Sequence, residues 1–255
     1  MTTDVQSLLE KESIIPDILP LGTKVPRNLK VVFPDATLEE PGQMIERDAT
    51  QPQPTLFVEP SPEDKESQPI YTLLMVDPVR VSPLWSLYRC YSTVYCTHAK
   101  KQKDLTHRND KYFGQVRHWL TTRVTVSPSG EVNVSKGQDI SPYVGPAPIP
   151  AHYFTLGKPH PSRYTFLLLR HKSGIALPEI HPDSLRSAYE GEPGEFGKPT
   201  QDIIDRMRFS TEKFIERNKM EVVAGTFMLV EGNAKSAVKN ASLVAQGLAD
   251  KMMGK

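Results

Sequence analysis

Cysteine is nearly missing from this chain: Cys90 and Cys96 are the only two among 255 residues. Two are too few for a disulfide framework, and their spacing matches neither a redox pair nor half of a zinc site. A reduced setting is the expectation. Charge of one sign is missing too, since 31 Lys and Arg face 30 Asp and Glu for a net charge of +1. No global field holds such a chain on nucleic acid or on an acidic membrane, so binding of either kind needs a local patch. No apolar run approaches the ~20 residues that span a bilayer. The first residues carry Asp4, Glu10, Glu12 and Asp17 against Lys11 and Lys24, which contradicts both a signal peptide and an acidic-poor presequence. A soluble, cytoplasmic protein is expected.

Catalytic signatures are also missing. Gly197-Lys198-Pro199-Thr200 fails as a phosphate loop, because position 192 is Glu and proline interrupts the Lys-Thr pair. No G-x-S-x-G elbow and no H-E-x-x-H pair occurs, and the seven histidines do not cluster with cysteine or paired carboxylates. A triad assembled from distant residues stays open, since triads are recognised by geometry. The expectation is no enzyme, no metal and no cofactor.

Proline is abundant. Its 23 residues are roughly twice the usual ~5% share, which predicts many ordered turns and few long helices. Thr3-Asp4-Val5-Gln6 has capping-box spacing and opens a short helix that the Ile15-Pro16 step ends. Strands are predicted at Leu29 to Phe33, Thr55 to Val58, Tyr71 to Val76, Val116 to Val126, Arg163 to Leu169 and Val222 to Val230. The nearly unbroken β-prone run at Tyr71 implies a strand buried on both faces that delivers Asp77 at its exit. Ile203, Ile204, Met207, Thr211, Phe214 and Ile215 predict a helix from about Asp202 to Asn218, and Asn233 can cap a last one. The chain therefore divides into an N-terminal helical arm (1–20), a β-rich domain (21–232) and a C-terminal helix (233–255).

Residues 84–114 read as an insertion that mixes Trp85, Tyr88, Tyr91, Tyr95 and Tyr112 with Arg89, Lys100, Lys101, Lys103, Arg108 and Lys111. Aromatics interleaved with cations suit single-stranded nucleic acid, and they equally suit a tyrosine-anchored loop with a solvated basic tip. Ser184 to Thr200 is a second loop-like stretch.

Four segments combine strand character with polar groups beside apolar neighbours: Asp77-Pro78, Arg117-His118-Trp119, Pro142 to Pro148, and Ser162-Arg163-Tyr164-Thr165-Phe166. Singly, Asp77 reads as a turn cap, His118 as a satisfied core histidine and Tyr164 as a buried aromatic with one hydrogen bond. Together they resemble the signatures of the phosphatidylethanolamine-binding protein family. Tyr71 to Pro78 resembles its first signature, Arg117-His118-Trp119-Leu120 its histidine strand, Tyr143-Val144-Gly145-Pro146-Ala147-Pro148 its Y-V-G-x-x-P loop, and Arg163 to Leu169 its R-Y-x-F-L strand. Phe214 to Asn218 and Val222 to Phe227 resemble the helix and closing strand that end the fold.

The resemblance implies a mainly β protein, a β-sandwich with flanking N- and C-terminal helices and a cavity for a phosphate-type anion or phospholipid head group. Asp77, His118 and Tyr164 would line it, and Gly145, Pro146 and Ala147 would form its rim. A protonated imidazole and a phenol O–H would donate to the anion while a carboxylate keeps His118 charged. Departures accompany the matches: Val79, Arg80 and Val81 interrupt the first signature, Ser162 replaces a histidine and Met228 a tyrosine. Arg80 and Arg117 either add anion affinity or point away from it. The resemblance extends to fungal members that inhibit carboxypeptidase Y and touch Ras-pathway signalling, which makes a serine carboxypeptidase or a kinase-pathway protein the expected partner. The alternative is a structural subunit of a ribonucleoprotein such as the mitochondrial ribosome, where nucleic acid is the partner.

Overall fold

The computed structural model describes residues 4–62, 64, 69–78, 115–148, 161–171, 180, 185, 206 and 209–233. The 84–114 insertion, Val79 to Val81, nearly all of Ser184 to Thr200 and the C-terminal helix beyond Asn233 lie outside them.

Two short helices open the chain, α1 (Val5–Lys11) and a kinked turn, α2 (Ile14–Asp17). The cap of α1 is Asp4, whose carboxylate accepts from the Gln6 N–H at 3.2 Å and from the Ser7 hydroxyl at 2.7 Å. Helix α1 ends before the Ile15-Pro16 step, because Ser13 adopts the left-handed conformation, φ 58°. Strands β1 (Leu29–Val32), β2 (Thr37–Leu38) and β3 (Thr55–Val58) form an antiparallel sheet in the order β2-β1-β3. A larger antiparallel sheet runs β6-β5-β4-β8-β9 from β4 (Tyr71–Pro78), β5 (Gln115–Val126), β6 (Val132–Asn133), β8 (Ser162–His171) and β9 (Met220–Val230), with β7 (Gln138–Ser141) also on β5. A third helix, α3 (Thr211–Arg217), precedes β9. Of the helix predicted from Asp202 to Asn218, residues 202–205, 207 and 208 lie outside the described residues, and Phe209 and Ser210 are not helical. Phe209 bridges Gln115 in β-fashion, and the Ser210 hydroxyl accepts from the Lys213 N–H, so the helix nucleates there.

The large sheet is the middle of three layers. One of its faces and the small sheet enclose a core that includes Leu29, Val31, Leu73, Met75, Trp119, Phe166 and Leu168. The other face carries Leu74, Val76, Leu120, Leu167 and Leu169 against Leu9, Ile14, Ile18 and Leu19 of the N-terminal segment and Phe214 of α3. All eight residues of β4 are consequently buried, which is why its sequence shows no polar alternation. Each large side chain so buried contributes roughly 1.5–3 kcal/mol.

Two polar knots tie the layers together. Arg163 donates through Nη2 to the Asp17 carboxylate at 2.7 Å and through Nη1 to the Glu12 carbonyl, fixing the N-terminal segment to β8. Asp64 accepts from Tyr71 Oη, from Arg27 Nη1 at 2.9 Å and from the Ser61 N–H at 2.6 Å, joining β4 to the segment that leads into the small sheet.

Candidate functional site

The six site residues inferred from sequence all fall within described structure, at one end of the large sheet. Asp77 is the penultimate residue of β4. The register Val76↔Thr165, carried one step further, sets it opposite Tyr164, and Tyr164 in turn pairs with Met228 on β9. Asp77, Tyr164 and Met228 thus make a row across three neighbouring strands. All three are buried.

His118 reaches this row through a fault in the ladder. Met75 pairs with Trp119 and Val76 with Arg117, so β5 spends an extra residue, His118, in a β-bulge. Strict alternation from Trp119, which faces the inter-sheet core, would have turned His118 toward the helices. The bulge re-aims it. Its ring meets that of Tyr164 edge to face, with centroids 5.1 Å apart at 80°. The same fault sends Arg117 to the opposite layer, where its guanidinium lies 5.2 Å from the Phe209 ring centroid and Nε donates to Ser141 Oγ at 2.8 Å. Of the two roles open to Arg117, the structure selects the one that points away from the site.

The imidazole is not the cation that the sequence reading expects. Nδ1 lies 2.9 Å from the Val144 carbonyl oxygen, which only accepts, so Nδ1 carries the proton and Nε2 is an acceptor in the neutral ring. Burial lowers its pKa to about 4, with the Arg206 guanidinium adding to the fall and the Val144 hydrogen bond opposing it. The group that orients His118 is therefore a backbone carbonyl instead of a carboxylate. Asp77 instead engages Tyr164. Burial, the Asp77 charge and a hydrogen bond to Asp77 push the phenol far above its ordinary range, against the opposing effects of the Ala147 N–H and Ser162 hydroxyl. Tyr164 thus stays a phenol that donates to Asp77 and accepts from Ala147.

The rim is held from two sides. Arg206 Nη1 donates to the His118 carbonyl at 3.0 Å and to that of Pro142 at 2.9 Å. On the other side stands the 3-10 turn Asp48–Thr50. The Tyr143 hydroxyl donates to the Thr50 carbonyl at 2.6 Å, and Gln51 Nε2 donates to the Pro146 carbonyl at 2.9 Å. Gly145 has to be glycine for this approach, because a Cβ there would lie 2.9 Å from both Gln51 Cα and the Thr50 carbonyl oxygen.

Sequence reasoning did not assign three further residues that belong to this arrangement. Gln51 carries no motif. Ser162, noted as a departure, supplies a hydroxyl to Tyr164, and Arg206 stands in a stretch expected to be helical. Among the described residues no group of three or more His, Cys, Asp or Glu is placed to hold a metal, and no helix is long and apolar enough to cross a membrane.

Solved structures share this fold. A carboxypeptidase Y inhibitor complexed with its cognate proteinase superposes at TM-score 0.57 with 16% identity over 89% of this chain and 94% of that one. A phosphatidylethanolamine-binding protein from Plasmodium vivax gives 0.56 with 16% identity over 91% and 100%. That of Plasmodium falciparum gives 0.52 with 17% identity over 91% and 100%. No family model matches the chain, and no curated protein does. At these identities the likeness is one of fold. The chain is a mainly β protein with the phosphatidylethanolamine-binding-protein-like fold.

Proposed function

We propose that this chain is a non-enzymatic binding protein, holding a phosphate-type anion or phospholipid head group at the Asp77–His118–Tyr164 site and acting through protein partners. The observation that carries this reading is the meeting of Asp77, His118, Tyr164 and the Pro146-Ala147 peptide at one end of the sheet. Three strands and one loop contribute, and a bulge is spent to bring the histidine in. Such convergence of polar groups in a mostly apolar setting is what small-molecule sites look like. No nucleophile and base stand together among these groups in a way that names a reaction.

The partner reading follows the fold neighbour that is itself an inhibitor bound to a proteinase. In this reading the chain inhibits a serine carboxypeptidase and modulates signalling. Two experiments test the two halves separately. Titration of the protein with inorganic phosphate or phosphorylethanolamine, followed at the His118 imidazole by NMR, is expected to give a saturable shift that His118→Ala lacks. Silence at millimolar anion removes the binding half. Addition of the full chain to a serine carboxypeptidase is expected to slow hydrolysis of a small peptide substrate in a saturable way; undiminished hydrolysis at micromolar chain removes the inhibitor half.

A further inference from the structure

An anion site built on Asp77 and a neutral His118 calls for a cation nearby. Among the described residues, the arginines adjacent in sequence to His118 and Tyr164 are turned elsewhere. Arg117 and Arg163 lie on the opposite face of the sheet, against Phe209 and Asp17. Arg206 spends Nη1 on two backbone carbonyls.

Arg47 differs. The strap that carries it runs beside β9, with the Leu229 N–H donating to Gln43 and the Ile45 N–H to Leu229. Along it Met44 is 51% exposed and Ile45 4%, Glu46 is exposed, and Arg47 is 7% exposed, a strict alternation that turns Arg47 to the same inner side as Ile45. Ile45 belongs to the inter-sheet core. Two residues further, the strap has passed Val230, the partner of Ser162, and stands at the end of the sheet that bears Tyr164. The bond from Asn233 to Asp48 at 3.3 Å fixes that position.

The guanidinium is held and yet incompletely used. Nη1 donates to Asp48 at 2.8 Å and Nη2 to Gln51 Oε1 at 3.2 Å. Nε is buried and has no acceptor among the described residues. A buried donor left so is destabilising, and an incoming acceptor relieves that penalty. Asp48 is the more exposed member of the pair, so solvent screens its charge more than that of Arg47. Through Gln51 the guanidinium is also tied to the Pro146 carbonyl, the rim itself.

We propose that Arg47 is a cation of this site, offering its Nε–H to an oxygen of a bound phosphate group, and that Gln51 is the positioning residue that keeps guanidinium and rim together. The inference rests on the anion-binding reading above. It gives that reading a charge-assisted contact of the kind arginine makes best with phosphate.

The test follows the arginine Nε–H resonances and the His118 imidazole in the same sample during separate titrations with inorganic phosphate, phosphorylethanolamine and glycerophosphoethanolamine. The Arg47 Nε–H, assigned by its loss in Arg47→Lys, is expected to shift downfield and saturate at the same concentration as His118. Arg47→Met is expected to weaken binding at least tenfold. The three arms separate the sources: strongest binding of the diester points to a lipid head group, and strongest binding of inorganic phosphate to the free ion, with Arg47 responding in either case. A saturating His118 shift with Arg47 Nε–H unmoved overturns the proposal and leaves the binding site standing. Silence at both groups overturns the two together. Should Arg47→Met fail to fold, the wild-type Nε–H resonance decides alone.

Discussion

Gln51 and Tyr164 hold opposite ends of one peptide group. Gln51 Nε2 donates to the Pro146 carbonyl at 2.9 Å, and the N–H of the same peptide, that of Ala147, donates to the Tyr164 hydroxyl. The orientation of this peptide is thus shared between a turn outside the large sheet and a phenol on one of its central strands. Gln51→Met removes the outer hold at nearly constant volume. It also removes the bond to the Arg47 carbonyl and the one from Arg47 Nη2, so the expected outcome is a stability loss of about 2–4 kcal/mol in urea denaturation. A shift of the Ala147 amide and Tyr164 ring resonances would accompany it. Unmoved resonances would mean that Tyr164 alone orients the peptide.

His118 sets an acid limit on the fold. Its folded pKa of about 4 lies below the unfolded value of 6.5, because burial disfavours the charged ring. Between these values the unfolded chain binds a proton that the folded chain does not, so stability is full above pH 6.5 and falls as pH drops toward 4. The span of about 2.5 pK units corresponds to roughly 3 kcal/mol. His171 is also shifted downward by burial and adds a slope of the same sign. Urea denaturation at pH 7, 6 and 5 is expected to show the decline in the wild-type chain. It should show a distinctly shallower one in His118→Gln, and equal slopes would place the effect elsewhere.

Some of this was legible in the chain and some was not, for physical reasons. The unbroken run Tyr71 to Val76 announced a strand buried on both faces, and β4 is that strand. The order of the four polar segments pointed to the fold. The bulge at His118 left no trace, because a period-2 pattern with one extra residue reads like ordinary strand, and only pairing with Met75 and Val76 exposes it. Charge on His118 was misjudged since burial is a tertiary property. Phe209 lies within the span predicted as helix and yet bridges Gln115, because the backbone of β5 offered it hydrogen bonds. Asp64 carries no pattern that foretells its burial by Tyr71 and Arg27. Arg47 carries no pattern at all, being a single inward arginine in a strap.

The pair Arg163–Asp17 anchors the first twenty residues, and its two side chains are almost wholly removed from water. Among the described residues, Asp17→Ala leaves the buried guanidinium with the Glu12 carbonyl as its one hydrogen-bond partner, so a loss of about 3–5 kcal/mol is expected. The double variant Asp17→Leu with Arg163→Met replaces charge by apolar volume and is expected to regain most of that loss. If Asp17→Ala costs less than 1 kcal/mol, solvent reaches the arginine and the N-terminal segment is held by its leucines and isoleucines instead.

Gly145→Ala tests how tightly the rim is clamped. The added methyl would meet Gln51 Cα and the Thr50 carbonyl oxygen, each 2.9 Å away, and both are backbone atoms with no rotamer by which to withdraw. The turn that bears them is itself held by the Tyr143 hydroxyl at 2.6 Å and by the Thr50 hydroxyl, which donates to the Arg47 carbonyl at 2.7 Å. Overpacking of this kind costs about 1–3 kcal/mol. The strain also has a direction, pushing the rim away from Gln51 and loosening the Pro146-Ala147 peptide. Thermal unfolding should therefore fall, and the Tyr164 ring resonances should move the same way as in Gln51→Met. A fall in stability with Tyr164 unmoved would show that the loop yields on its outer side, leaving the peptide where Tyr164 holds it.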